Sequence, residues 1–328
     1  IDMITKPIID IHGVDLLDVD MGYDFNRTVV TMVGEAEAVL QAAIECTIIA
    51  VNLIDMRDHS GEHARMGAVD VVPFIPLSGS SIAECVKLSE RYAEAVSEKL
   101  GLPVYLYAEA ARHEDRIRLP DIRKGEYEGM EEKMSSPNWK PDYGPDFFSP
   151  SMGVTATGAR PILIAYNVNL NTGDKKIANS IASIIRTSGS LIRDDNGMKV
   201  IGENGHPLRK PGKFQSLQAA GWMFDEDTAQ VSMNLLDHSI TGLYDVTETI
   251  RKEAKDIGYS VISSELVGLV PLDAMLSAGS QYLEDDSNDV EELVLVNAAI
   301  VGLSLDESNN FNPRSTIIEW AMADKIGD

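Results

Sequence analysis

The chain has 328 residues, 44% of them hydrophobic and 24% charged, with 52 acidic against 28 basic side chains and a formal net charge of −24. Such a surface repels a phosphate backbone, which argues against nucleic acid as a partner, and the length is that of two domains with a sizeable core. No apolar run approaches a membrane span and no secretory leader is visible. The two cysteines, Cys46 and Cys85, lie in apolar helical patterns and read as thiols of a reducing cytoplasm.

In chain order, residues 14–20 (VDLLDVD) and 27–33 (RTVVTMV) read as β-strands joined by the turn MGYDFN, and the Ala-rich stretch 35–53 as a helix. Val69–Leu77 has the composition of a buried strand. Residues 79–100 form an amphipathic helix with Ser80 or Ser81 as N-cap, Glu84 as capping-box partner and Gly101 as its stop, before a short strand in LPVYLYAEA. Further on, strands are expected at 159–170, 215–224, 229–237 and 260–270, with helices at 173–188, 241–257 and 271–284. Strand, helix, strand, strand, helix, strand is the order of a ferredoxin-like unit. The first half echoes this pattern as a weak internal repeat: hairpin then helix, and strand, proline, helix. If the repeat holds, the first half lacks its opening strand, and IDMITKPI is the tail of the helix that would follow it.

Three stretches carry chemistry. In IDMRDHSGEHARMGAVDVVPFIPL, His59 and His63 stand four apart, a metal-ligand spacing on a helix. The intervening Ser-Gly-Glu is a poor helix, the Glu is not in the HExxH position and no third ligand is evident, so no metal is expected. An imidazole beside Glu62 or Asp58 can serve instead as a general base, while a pair of histidines that only caps the turn fits the residue types as well. The segment PDYGPDFFSPSMGVTATGARP is stiffened by Pro and Gly and lined by Tyr143, Phe147 and Phe148. It suits a flat heterocycle, or equally an interdomain linker with packed aromatics. The cluster His206, Arg209, Lys210 and Lys213 is either an anion site or a solvated loop. No dinucleotide fingerprint or phosphate loop occurs, and SGSSI reads as a helix cap rather than a serine nucleophile.

Taken in order, LLDVDMGYDFNRTVVTMVG, the His63 segment, LPVYLYAEAAR, LPDIRKGEYEGM, PDYGPDFFSPSMGVTATGARPILIAYNVNL, AAGWMFDEDTAQVSMNLLD and ELVGLVPLDAML resemble the glutamate formiminotransferase family over nearly the whole chain. The resemblance implies an α/β fold of two ferredoxin-like-related subdomains, 1–158 and 159–328, whose sheets face one another across a substrate tunnel, in a homodimer. It implies transfer of a formimino group from N-formimino-L-glutamate to N5 of tetrahydrofolate in histidine degradation, with tetrahydrofolate as co-substrate. The family's catalytic histidine lies in its GEH-x-RMG motif, here His63. Its folate-contacting segment falls on Gly144, Pro145, Asp146, Phe147, Phe148, Ser149, Pro150, Ser151, Met152 and Gly153.

The family's VPNFSEG-type first strand is absent from the start of this chain, residues 190–206 are longer than the family loop, and no cyclodeaminase domain follows, as in the free-standing bacterial type. Charge and placement add Asp20 as partner of the protonated formimino group, and Arg27 and Arg160 for the substrate carboxylates. Arg209, Lys210 and Lys213 are expected to favour a polyglutamylated folate tail. A formyl donor, N-formylglutamate or formyltetrahydrofolate, and a non-catalytic folate-binding protein are the alternatives.

Overall fold

The computed structural model describes residues 1–22, 26–61, 63–77, 79–203, 205–283, 290–306 and 311–326. The chain divides into two compact units, Ile1–Pro161 and Ile162–Asp328.

In the first unit, helix α1 (Asp2–Asp10) leads into an antiparallel hairpin, β1 (Val14–Gly22) with β2 (Arg27–Gly34), and then helix α2 (Ala36–Leu53). The hairpin register pairs Val14 with Gly34 and Gly22 with Arg27, with a bulge between Leu16 and Asp18. Ile8, Val14 and Ala42 knit α1, β1 and α2 together. Residues 23–25 of the expected turn lie outside the described residues. A second sheet is parallel: β3 (Val71–Phe74), β5 (Thr155–Ala159) and β4 (Val104–Ala108), with β5 in the middle. Helix α3 (Ile82–Leu100) covers it, burying Cys85, Tyr92, Ala93 and Val96 with Leu40 and Ala43 of α2.

The start of α3 is the expected capping box. Ser81 Oγ accepts from the Glu84 backbone N–H while Glu84 Oε2 accepts from that of Ser81 at 2.9 Å. Gly101 stops it at φ +66°. Helices α4 (Leu119–Arg123) and α5 (Glu126–Ser135) pack Ile122, Met130 and Met134 against Tyr105 and Tyr107 of β4.

Two expectations are corrected here. Residues 159–170 are not one strand: Ala159 ends β5, and the next strand starts at Ile164 in the second unit. Pro161, which has no N–H to give a ladder, stands at the break. Helix α2, passed over as a possible span, is long and apolar enough to cross a membrane by length and composition. Here Leu40, Ala42, Ala43, Thr47 and Ala50 are buried against the unit's own core.

The second unit runs β6 (Ile164–Leu170), α6 (Lys175–Ile185), a short hairpin β7 (Ser190–Leu191) with β8 (Arg209–Lys210), β9 (Leu217–Met223), β10 (Ala229–Leu235), α7 (Leu243–Asp256) and β11 (Val261–Val267). The sheet order is β11-β6-β10-β9, every pair antiparallel. Numbered within the unit, that is 4-1-3-2, the ferredoxin-like arrangement expected from the order of elements. One face, with Tyr166, Val168, Val231 and Met233 fully or nearly fully buried, packs on α6, α7, α8 (Leu272–Leu283) and α9 (Glu292–Leu303). Helices α10 (Pro313–Thr316) and α11 (Ile318–Ile326) follow.

With the short β7–β8 hairpin set aside as an insertion, the order α6, β9, β10, α7, β11 matches α1, β1, β2, α2, β3 of the first unit, as the weak internal repeat would have it. In the second unit β6 sits between β10 and β11. Among the described residues of the first unit no strand stands between β2 and β3, which belong to separate sheets.

Candidate functional site

The loop between α2 and β3 carries both histidines, and the fold gives them opposite tautomers. His59 Nε2 lies 3.0 Å from the Asn26 carbonyl oxygen, so it must carry the proton and donate. The Asn26 side chain returns a bond to the Ser60 carbonyl at 2.6 Å, which ties the loop to the start of β2. His59 Nδ1 is buried without a partner. His59 is therefore a brace for the hairpin.

His63 faces the other way. Its Nε2 is 2.9 Å from Arg27 Nη1. A guanidinium only donates, so this nitrogen accepts and the imidazole is neutral with its proton on Nδ1. Burial pushes the His63 pKa below its usual 6.5, and the positive charges of Arg27 and then Arg123 push the same way, against a backbone hydrogen bond at Ala64 and the charge of Asp70. Asp58 makes no hydrogen bond to either ring, and Glu62, the other expected neighbour, lies outside the described residues.

Arg123, at the end of α4, is ion-paired with Asp70 immediately before β3, and Asp70 Oδ1 also accepts from the Met66 backbone at 2.8 Å. Burial raises the Tyr107 phenol, opposed by the positive charges of Arg160 and then Arg123. Arg27, Arg123 and Arg160 thus place three positive charges around one neutral imidazole and one phenol, inside a chain of net charge −24. Asp20 contacts none of them. The β-ladder puts it opposite Val29, on the same face of the hairpin as Arg27.

Residues 144–153 are bound to the histidine loop by main chain. Met56 N donates to Ser151 O at 2.9 Å, Ala68 N to Met152 O at 2.9 Å, and Val154 N to Met66 O at 3.1 Å. Where the two strands cross, at Gly67 and Gly153, a Cβ on Gly153 would sit 2.2 Å from the Met66 carbonyl, and its φ is +73°. Phe148 packs against Tyr127 with ring centroids 5.2 Å apart, while Phe147 is 69% exposed. Of the three aromatics expected to wall a pocket, Phe148 is packed, Tyr143 lies under Arg112 with its ring centroid 4.9 Å from the guanidinium, and Phe147 alone is exposed.

The segment's entry is fixed by a buried ion pair. Arg116 and Asp142, each 3% exposed, meet at 2.7 Å, and Arg116 also donates to the carbonyls of Asn138 and Lys140. Lys140 in turn pairs with Asp146.

Elsewhere the expectations fare differently. Arg209 donates to the Ser188 and Gly189 carbonyls, and Lys213 to Thr249 Oγ1 on α7, so two of the three cations expected to meet a polyglutamyl tail are engaged within the second unit. Cys46 and Cys85 are free thiols, and burial pushes Cys46 up to about 11. Among the described residues no three His, Cys, Asp or Glu groups converge on one point. Sequence reasoning missed Arg123, Asp70 and Tyr107 as neighbours of His63 and Arg160. The only signal for Arg123 is its place in LPDIRKGEYEGM.

The formiminotransferase domain N-terminal subdomain matches residues 1–160, and the formiminotransferase domain matches residues 165–323. The glutamate formimidoyltransferase of Streptococcus pyogenes serotype M1 is 39% identical over 298 residues, covering 90% of this chain and 92% of that protein. The corresponding protein of Thermoplasma acidophilum is 38% identical, covering 89% and 91%. The formimidoyltransferase-cyclodeaminase of Dictyostelium discoideum is 42% identical over 328 residues, and the chain spans 58% of its length.

Proposed function

The chain belongs to the formiminotransferase family, and from that premise we propose that it transfers the formimino group of N-formimino-L-glutamate to N5 of tetrahydrofolate, with His63 as the proton carrier. One observation supports the assignment of the base: Nε2 of His63 accepts from Arg27 at 2.9 Å, and burial and two arginines lower the pKa of that imidazole.

In the reaction, the N5 lone pair attacks the amidine carbon and a tetrahedral adduct forms. The proton leaving N5 passes to His63 Nε2. The same imidazolium then gives it to the glutamate nitrogen as the carbon–nitrogen bond breaks, yielding formiminotetrahydrofolate and glutamate. Before that, Arg27 must turn from Nε2 to a carboxylate of the donor, which uncovers the base when the donor arrives. Arg160 takes the second carboxylate in this reading. Asp20, on the same hairpin face as Arg27, stands ready for the cationic formimino group.

Residues 144–153 hold the folate ring, for which the exposed Phe147 offers an apolar face. The deciding experiment offers purified protein tetrahydrofolate with N-formimino-L-glutamate or with N-formylglutamate, and identifies the folate product. Formiminotetrahydrofolate from the first donor alone supports the reading. Product from the formyl donor alone replaces it.

A further inference from the structure

Helix α4 is only five residues long, Leu119–Arg123, and its last residue is the arginine that pairs with Asp70 and lowers the pKa of His63. A helix of little more than one turn does not hold itself in water, and its final carbonyls have no partner within the helix. Something outside it must fix the direction in which Arg123 leaves.

The last turn of α5 supplies a candidate. Lys133 Nζ donates to the carbonyls of Asp121 at 2.7 Å, Ile122 at 2.6 Å and Lys124 at 3.3 Å. Those oxygens stand on either side of Arg123, so one ammonium clamps the main chain that carries it. The turn between the two helices makes this return possible, with φ of +95° at Gly125 and +55° at Glu126.

The clamp has a fixed seat. Lys133 Nζ lies 3.8 Å from the centroid of the Trp139 ring. Trp139 is held in turn, since Arg116 donates to the carbonyls of Asn138 and Lys140 on both sides of it and the Tyr105 hydroxyl donates to its own carbonyl. Among the described residues the acceptors of Lys133 are all main-chain carbonyls. Burial lowers its pKa to about 8, opposed by Asp121 and aided by Lys124 and Arg116. A lysine that merely ends a helix can do so from the surface, with its charge fully hydrated.

We propose that Lys133 is a positioning residue for the base: by clamping the end of α4 it keeps the Arg123 guanidinium on Asp70 and within electrostatic reach of His63. The charges that act on His63 are Arg27 from β2, Arg123 from α4 and Asp70 before β3. Lys133 works through the second of these. The proposal rests on the formimino-transfer reading only for what His63 does in the reaction.

NMR titration of the His63 ring in the full chain, assigned among the six histidines with His63→Gln, reads the result without substrate. Arg123→Gln removes a depressing charge and should raise the His63 pKa. Lys133→Met removes the clamp and should raise it by at least half as much. The double variant should go no further than Arg123→Gln alone, because the two residues act through one contact. Lys133→Arg can still donate to the carbonyls and lie over Trp139, and should return the titration to that of the parent. If Lys133→Met does not fold, Lys133→Gln, neutral but still a donor of hydrogen bonds, takes its place in the cycle.

A Lys133→Met chain that is less stable but titrates as the parent does makes Lys133 a plain helix cap and overturns the proposal. A shift that adds in full to that of Arg123→Gln overturns it too, since the lysine would then act on the ring directly. The expected shifts in a chain that transfers no formimino group support the positioning and overturn the transfer reading. An active chain whose His63 ignores both Arg123→Gln and Lys133→Met overturns the positioning and leaves the transfer standing.

Discussion

Arg27 and His63 meet head to head across the first unit, guanidinium N–H to imidazole lone pair at 2.9 Å. Ordinarily an arginine beside a histidine is only a repulsive neighbour. Here it occupies the nitrogen that would otherwise collect a proton from solvent, and the ring stays in its accepting form.

Replacing His63 by Ala removes the proposed carrier and leaves the sequence of the 144–153 segment unchanged. Turnover is expected to fall by about 10²–10⁴-fold with tetrahydrofolate affinity held within a few-fold, since a proton carrier acts chiefly in the transition state. Steady-state kinetics and a binding titration check this together. A variant with near-parental kcat refutes the assignment.

The acid limb of kcat/KM follows from the direction of the His63 shift. A base works in its unprotonated form, and its pKa lies below 6.5, so activity should persist to lower pH than an ordinary imidazole permits. Arg27→Gln takes away a depressing charge, so the limb should move toward higher pH, whatever happens to KM. Arg123→Gln should move it the same way by less. A limb that stays put, or moves to lower pH in either variant, contradicts the electrostatic account.

His59→Ala removes a brace and leaves the base alone. The expected cost is about 1 kcal/mol of stability from the lost bond to Asn26, a raised KM for the donor through the loosened Arg27, and kcat within about tenfold of the parent. Chelators should leave activity unchanged. Zinc-restorable loss on chelation would return these histidines to a metal.

Arg116→Met strands the Asp142 carboxylate at 3% exposure. Leaving a buried charge unpaired costs about 3–5 kcal/mol, so the urea midpoint should drop sharply. The double variant Arg116→Met with Asp142→Leu should recover much of that loss. A single variant as stable as the parent would mean that the pair is dispensable to the fold.

Local signals were readable from the residues: the Ser81–Glu84 box, the Gly101 stop, and the strand and helix order that placed β9, β10 and β11 around their helices. The stretch around Pro161 was misread because its apolar run continues through a boundary between two sheets of different kinds. Arg123 and Asp70 could not be read as a pair, since 53 residues separate them and only the packing of α4 against the start of β3 unites them. The amides of YNVNL and AQVSMNL do alternate with apolar residues. Alternation alone, however, does not separate a buried polar row from a solvated one, and that burial comes only with the tertiary structure.

The main-chain seam between the histidine loop and residues 144–153 has an evolutionary corollary. Because carbonyls and amides make the joins at Ser151 and Met152, the side chain of the exposed Phe147 can be exchanged without breaking them, whereas Phe148 and Met152 are held by packing and the glycines of the crossing by close approach. On the proposed reading, a scaffold of this kind can drift toward a different acceptor molecule by altering the exposed surface of this segment while the histidine loop stays in register. An engineer seeking a new acceptor should vary Phe147 first and leave Gly67 and Gly153 alone.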